Sequence, residues 1–194
     1  GFNSDADGLT TAAAGSMVLI KTLTSDGSDS DLTFVDGTDD VVLDSTYPIY
    51  KFVFINIHCE TDERHFQVGF RDGGSSYDAP KTTTFFRSIH SESDTVPSPA
   101  NEVAYSPSYD LAQSTSAQYL MRGLGNQNDE SGNGELWLFN PSSTTFVKHF
   151  IANTQYYLGD WASATDGPVN AFVAGYCNVT AAIDGVQFSM SGGE

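Results

Sequence analysis

The sequence predicts an all-β protein: an antiparallel, jelly-roll-like β-sandwich of about ten short strands. No window of a dozen residues keeps apolar side chains at helical spacing, whereas short runs rich in β-branched and aromatic residues recur along the chain. Asp-Gly pairs, which favour tight turns because both residues tolerate a positive φ, punctuate the chain. They stand at 7–8, 26–27, 36–37, 72–73, 166–167 and 184–185.

The predicted strands follow in chain order from this punctuation. They are Met17–Leu23, Leu32–Val35, Tyr50–His58, His65–Arg71, Thr82–His90, Ala117–Arg122, Glu135–Phe139, Thr144–Ala152, Ala171–Asn178 and Val186–Met190. Tyr50–His58 is apolar at both parities, which predicts a central strand covered on both faces. Val186–Met190 alternates apolar with polar residues, which predicts a half-buried strand.

One domain is the expected organisation, since 194 residues can bury a single sizeable core. Residues 16–194 are predicted to form it. Residues 1–15 are expected to be an N-terminal arm or the end of a longer preceding segment. The stretch 91–116, rich in Ser, Pro and Asn, predicts a surface loop insertion. Cys59 and Cys177 have no metal-ligand spacing, so they are either two buried thiols or a disulfide.

The charge argues against two classes of partner. The chain carries 25 acidic and 8 basic residues, a formal net charge of −17, and its basic residues are scattered singly. Nucleic acids are bound by clustered Lys and Arg, so a nucleic-acid partner is not expected. No apolar run approaches the roughly 20 residues that a membrane-spanning helix needs, so no membrane partner is expected either.

The acidic and histidine residues offer no catalytic constellation. Four aspartates could supply oxygen ligands for calcium, although their spacing matches no EF-hand: Asp26, Asp29, Asp31 and Asp36. Otherwise they form turns and a solvated rim. Glycoside hydrolysis needs two carboxylates, which Glu60, Glu63, Glu102 or Glu135 could provide, but no feature selects a pair. The chain is therefore predicted not to be an enzyme and to need no cofactor.

The best hint of binding is a group of aromatic residues after Thr144–Ala152. Tyr156, Tyr157 and Trp161 cluster in what is predicted to be a polar loop. Such rings could form a platform on which a sugar stacks. Equally, they could cap the sandwich edge or fill a contact between subunits, because aromatic residues are enriched at interfaces.

Several segments resemble the virion structural proteins of marine bacteriophages, of the kind found in cyanophages and pelagiphages. They are SMVLIKTL at Ser16–Leu23, LTFVDGTDDVVLDSTYPIY at Leu32–Tyr50, KFVFINIH at Lys51–His58, LWLFNPSSTTFVKHFIA at Leu136–Ala152 and AGYCNVTAAIDGVQFSM at Ala174–Met190. The resemblance covers most of the chain from Ser16 and lapses at 91–108 and 158–169. The family usually has Pro where this chain has Cys59, which argues against an obligatory disulfide there.

The resemblance implies a non-enzymatic building block displayed on a virion, as capsid decoration, tail-associated protein or fibre component. It implies assembly in the host cytoplasm, exposure outside the cell, and contacts with other virion proteins. A homo-oligomer is expected, by analogy a trimer. The alternative is a carbohydrate-binding adhesin module that recognises a host surface glycan.

Overall fold

The chain folds into ten antiparallel strands, as seen in a computed structural model that describes residues 17–92, 94, 102–159 and 166–192. The strands are β1 (Asp31–Val35), β2 (Ile49–Ile57), β3 (Arg64–Arg71), β4 (Lys81–Ile89), β5 (Glu102–Tyr105), β6 (Gln118–Leu124), β7 (Gly132–Phe139), β8 (Lys148–Leu158), β9 (Gly167–Cys177) and β10 (Gly185–Met190). One 3₁₀ turn, Pro107–Tyr109, follows β5. The predicted all-β class is confirmed. Among the described residues, no helix is long and apolar enough to cross a membrane.

Hydrogen bonding divides the strands into two layers. A six-stranded sheet has the order β2-β7-β8-β9-β4-β5, and a four-stranded sheet has the order β1-β10-β3-β6. A single residue pair, Leu124 with Leu158, joins β6 to β8 and makes the two layers formally continuous. This narrow link lets the layers fold over each other as a sandwich.

The order in which the chain visits the two sheets is that of a jelly roll. Strands β1 to β4 alternate between the sheets, β5 stays beside β4, β6 returns to the smaller sheet, and β9 and β10 alternate again. The β7–β8 hairpin is an addition to the larger sheet, inserted between β2 and β9. Eight strands thus follow the predicted jelly-roll-like sandwich, and the β7–β8 hairpin is added to it.

Aromatic side chains fill the space between the sheets. Phe188 of β10 lies at the centre of one cluster, with ring centroids 5.3 Å from Phe52 and 4.9 Å from Phe54 of the opposite sheet. Phe70 and Phe150 make a second contact between the layers at 4.9 Å. The buried apolar residues of both sheets form one continuous core.

One predicted strand is absent, and one observed strand was not predicted. Met17–Leu23 belongs to no strand, since it forms no ladder with any described strand. Conversely, β5 lies inside the stretch predicted as a loop insertion and pairs with the outer edge of β4. Residues 93 and 95–101 of that stretch, and the predicted arm at 1–15, lie outside the described residues.

The position of β2 contradicts the prediction that Tyr50–His58 is a central strand covered on both faces. β2 is an edge strand that pairs with β7, and no other described strand pairs with it. Tyr50, Phe52 and Phe54 are buried, whereas Val53 and Ile55 on the opposite face are exposed. Its apolar outward positions therefore remain uncovered in the single chain.

The two cysteines are free buried thiols rather than a disulfide. The Cys59 thiol donates to the carbonyl oxygens of Leu124 and Gly125, each at 3.1 Å. Cys177 lies on β9, inside the core.

Candidate functional site

The outward-facing side of the six-stranded sheet carries exposed apolar side chains on most of its strands, and we call it the outer face. Strand register places one row of its side chains across all six strands: Val53, Glu135, Asn153, Phe172, Phe86 and Tyr105. A second row runs Lys51, Trp137, Ile151, Ala174 and Thr84. Ile55 and Val103 complete the set that defines the outer face.

Period-two alternation produces this face. In β8, for example, Phe150, Ala152 and Thr154 are buried while Ile151 and Asn153 between them are exposed. The same alternation turns Phe86 of β4 and Phe172 of β9 outwards, where their rings stack with centroids 4.9 Å apart and planes 12° apart. These strands therefore carry apolar residues on the side away from the core as well.

The exposed apolar area is large for a lone chain. Ile55 is 77% exposed and Val53 60% on β2, and Val103 is 76% exposed on β5 at the other side of the sheet. Ile151 and Phe172 lie between these two edges and are also exposed. Contiguous apolar patches of this kind mark interaction sites in soluble proteins.

The outer face carries almost no charge. Of the residues that define it, only Lys51 and Glu135 are charged, and they form an ion pair with each other. The indole N–H of Trp137 donates to Glu135 at 2.9 Å, and the Lys51 ammonium lies 4.7 Å from the Trp137 ring centroid. The hydrogen bonds from Lys51 and then Trp137 hold the pKa of Glu135 below its ordinary value.

A shallow groove of about 400 Å³ crosses the middle of this face. Its walls include Trp137 on one side and the stacked Phe86 and Phe172 on the other, with Ile151 and Asn153 along the floor. The groove is mostly apolar, and Glu135, one of the carboxylates considered for glycoside hydrolysis, lines it as the partner of Lys51.

The predicted aromatic platform is not assembled at the surface. β8 continues to Leu158 instead of ending at Ala152, so Tyr156 falls on the inward parity and is completely buried. Tyr157 faces outwards and its hydroxyl donates to Glu92 at 2.6 Å, an interaction that raises the pKa of Tyr157. Trp161 lies outside the described residues.

Of the four aspartates considered for calcium, Asp26, Asp29 and Asp36 accept hydrogen bonds in local turns, and Asp31 begins β1. Asp29 accepts the backbone N–H of Asp26 at 3.2 Å, and Asp36 accepts that of Leu43 at 2.8 Å. Asp26 accepts hydrogen bonds from the hydroxyl and N–H of Ser28, which lower its pKa. In the described part of the chain, no three His, Cys, Asp or Glu residues converge on a possible metal position.

The outer-face residues were missed by sequence reasoning, although a signal existed. Apolar residues at both parities of β2 were interpreted as a sign of a strand covered within its own fold. The same doubling occurs in β4, where Phe85 is buried and Phe86 is exposed. Which strands lie at an edge depends on long-range pairing, which periodicity alone does not reveal.

Comparisons with known proteins do not assign this surface. No protein-family model, curated protein or solved structure matches the chain.

Proposed function

We propose that the chain is a non-enzymatic structural subunit of a phage virion that assembles, through the outer face, with copies of itself and with other virion proteins. The observation that carries the proposal is the coincidence of exposed apolar residues and missing net charge on this one face. Both properties are typical of the central part of a protein–protein interface.

Electrostatics favours the outer face as the place where copies meet. Each chain has a formal net charge of −17, so copies repel one another at most orientations. The outer face contributes only the internally neutralised pair of Lys51 and Glu135. Contact over the middle of the face, where Glu135 is paired with Lys51, therefore adds little to this repulsion, and salt screens the remainder.

The size of the face suits a specific contact. Six strands about 4.8 Å apart, taken over a length of about six residues at 3.3 Å each, give a footprint of roughly 25 by 20 Å, or about 500 Å². Accessible area exceeds this flat projection and approaches the roughly 800 Å² per partner of a standard interface.

The virion context is supported by the resemblance of five segments to marine phage structural proteins. Capsid decoration, a tail-associated position and a fibre are all compatible with a subunit that assembles by one sheet face. Two free buried thiols suit assembly in a reducing host cytoplasm before exposure outside the cell. A trimer remains the favoured assembly by analogy with such particles.

Oligomeric mass in solution tests the proposal. We expect the full chain to form an oligomer at micromolar concentration in seawater salt, measured by analytical ultracentrifugation. Phe172→Asp places a charge at the centre of the outer face and should weaken association at least tenfold. Phe146→Asp is the matched control, because Phe146 is exposed in the β7–β8 connection and belongs to no strand of the outer face. A monomeric wild type, or equal dissociation of both variants, would overturn the proposal.

The groove between Trp137 and Phe172 favours a second candidate, a module that binds a host surface glycan. Sugars stack on aromatic rings, and Asn153 and Glu135 offer hydrogen-bonding groups in the groove. The aliphatic neighbours Val53 and Ile151 offer none, which is why assembly is the first proposal. A glycan array decides: binding by wild type that Trp137→Ala abolishes, without a change of oligomeric mass, would support the glycan module.

A further inference from the structure

We infer that the segment Met17–Leu23 of one copy packs along the open edge of β2 in a neighbouring copy. This inference rests on the proposed assembly and adds a second contact between copies, outside the outer face. The contact would bring together two described parts of the chain whose apolar residues are exposed, Met17–Leu23 and β2.

The donor is an apolar segment that forms no strand of its own sheet. Met17 and Leu19 are 68% and 81% exposed, and Val18 between them is also exposed. Ile20 packs against the core of its own chain and anchors the segment there. Three consecutive exposed apolar residues beside an anchored fourth are costly in water and gain by contact with another apolar surface.

The acceptor is the β2 edge. Of its two sides, one pairs with β7, and no other described strand occupies the second. A long, apolar edge with unpaired backbone groups is a template for an additional strand from another chain. Val53 and Ile55 stand beside it, and they stay exposed although Met17–Leu23 belongs to the same chain. The segment therefore does not cover the outward side chains of its own β2, and it forms no ladder with the β2 edge.

Lys51 leaves this edge open. Charged side chains on edge strands normally discourage the addition of further strands, and Lys51 is the charge in the middle of β2. Its ammonium is instead drawn along the sheet, onto Glu135 and over the ring of Trp137 on β7. The charged side chain of β2 that could block the open edge is thus directed towards β7, away from that edge.

The charges of donor and acceptor also agree. Met17–Leu23 contains no acidic residue and carries Lys21, the only basic residue among the first fifty. The loop after β2 carries Glu60, Asp62 and Glu63. A segment without carboxylates approaches this acidic part of a second copy without like-charge repulsion, which most other segments of the chain would suffer.

Cross-linking between two variants that each carry one added cysteine tests the contact. Leu19→Cys and Val53→Cys full-length chains, one of them isotope-labelled, are mixed and mildly oxidised, and mixed disulfides are identified by mass. The native Cys59 and Cys177 are buried, 1% and 0% exposed, and so compete little. Ser28→Cys mixed with Val53→Cys is the control, because Ser28 is exposed in a nearby turn. We expect at least tenfold more mixed disulfide for Leu19 than for Ser28.

The outcomes separate this inference from the proposed assembly. If wild type is oligomeric and Phe172→Asp dissociates it, but Leu19→Cys gives no more mixed disulfide than Ser28→Cys, the inference fails and the assembly stands. A Leu19→Cys/Val53→Cys double variant that closes only within one chain also overturns the inference. A monomeric wild type removes the proposed assembly, and the inference with it.

Discussion

The two sheets present very different outward surfaces. On the four-stranded sheet, Gln187 lies between Thr33 and Gly69, and the amide of Gln67 donates to the Ser189 hydroxyl at 3.1 Å. On the six-stranded sheet, the corresponding outward positions hold the residues of the outer face. Both sheets bury one side in the same core, so the core does not explain the difference.

The two sheets differ in how well their outward residues suit contact with water. A sheet that faces water needs polar or small residues outwards, as β3 and β10 have. Exposed valine, isoleucine and phenylalanine are instead expected where a second surface removes them from water. The exposed apolar residues of the larger sheet are therefore what the proposed assembly through the outer face requires.

The largest expected effect separates the core from the outer face. Phe188→Ala removes the ring at the centre of the aromatic cluster and should lower the free energy of unfolding by about 3–5 kcal/mol. Phe172→Ala removes a ring of the same size from the outer face, where it stacks on Phe86 outside the core, and should lower it by about 1–1.5 kcal/mol in the monomer. Urea unfolding at a concentration below association measures both. Similar losses would mean that the outer face belongs to the core of the single chain.

Sequence periodicity predicted strands well where the alternation is regular and turns mark their ends. The strands β3 and β10 were predicted within one or two residues of their observed ends, because their alternation is regular and Asp-Gly turns adjoin them. Met17–Leu23 has the same β-forming composition but no described neighbour with which to pair. Strand formation requires a partner as well as a pattern, and the partner is fixed by tertiary structure.

An ion pair on each sheet gives the second comparison. Asp184 accepts from Arg71 through two oxygens, at 2.9 and 3.0 Å, and also from the backbone N–H of Gly73 at 3.2 Å. Asp184→Asn should therefore lower the free energy of unfolding by about 1–2 kcal/mol. Glu135→Gln breaks the simpler contact with Lys51 on the outer face and should lower it by less than about 1 kcal/mol. Thermal or urea unfolding ranks the two, and the opposite ranking would contradict this account.

A pH effect is expected from the smaller sheet. His65 Nδ1 accepts the backbone N–H of Gly123 at 2.9 Å, so the folded chain holds this nitrogen unprotonated. Burial first, and then the positive charge of Arg122, lowers the pKa of His65 below its ordinary 6.5. The unfolded chain then binds the proton more readily. The resulting stabilisation is complete above pH 6.5 and is lost as the pH falls from there through the lower folded pKa.

Substitution isolates this contribution. His65→Gln should flatten the fall of unfolding free energy below pH 6.5, whereas His149→Gln, exposed on the larger sheet, should leave it unchanged. Urea unfolding at a series of pH values provides the measurement. A wild-type profile that stays flat down to pH 5 would show that His65 accepts a proton without loss of its contact with Gly123.

The candidate site was predictable in kind but not in place. Aromatic residues at a binding surface were expected, but at Tyr156, Tyr157 and Trp161. β8 continues without a turn to Leu158, and this places Tyr156 in the core. Successive residues of a strand face opposite sides, so the six residues by which β8 exceeds its predicted end assigned Tyr156 to the core and Tyr157 to the outward side.

The smallest expected effect concerns calcium. Asp26, Asp29 and Asp36 already accept hydrogen bonds from backbone N–H groups in their own turns, and no described acidic residues converge around a shared position. A cation that bound only the folded chain would raise its melting temperature in proportion to the logarithm of ligand concentration. We therefore expect melting curves in 10 mM calcium and in excess chelator, matched for ionic strength, to coincide within about 1 °C, a concentration and margin chosen to expose even weak binding. A calcium-dependent rise that Asp29→Asn abolishes would instead place a cation site in the turn before β1.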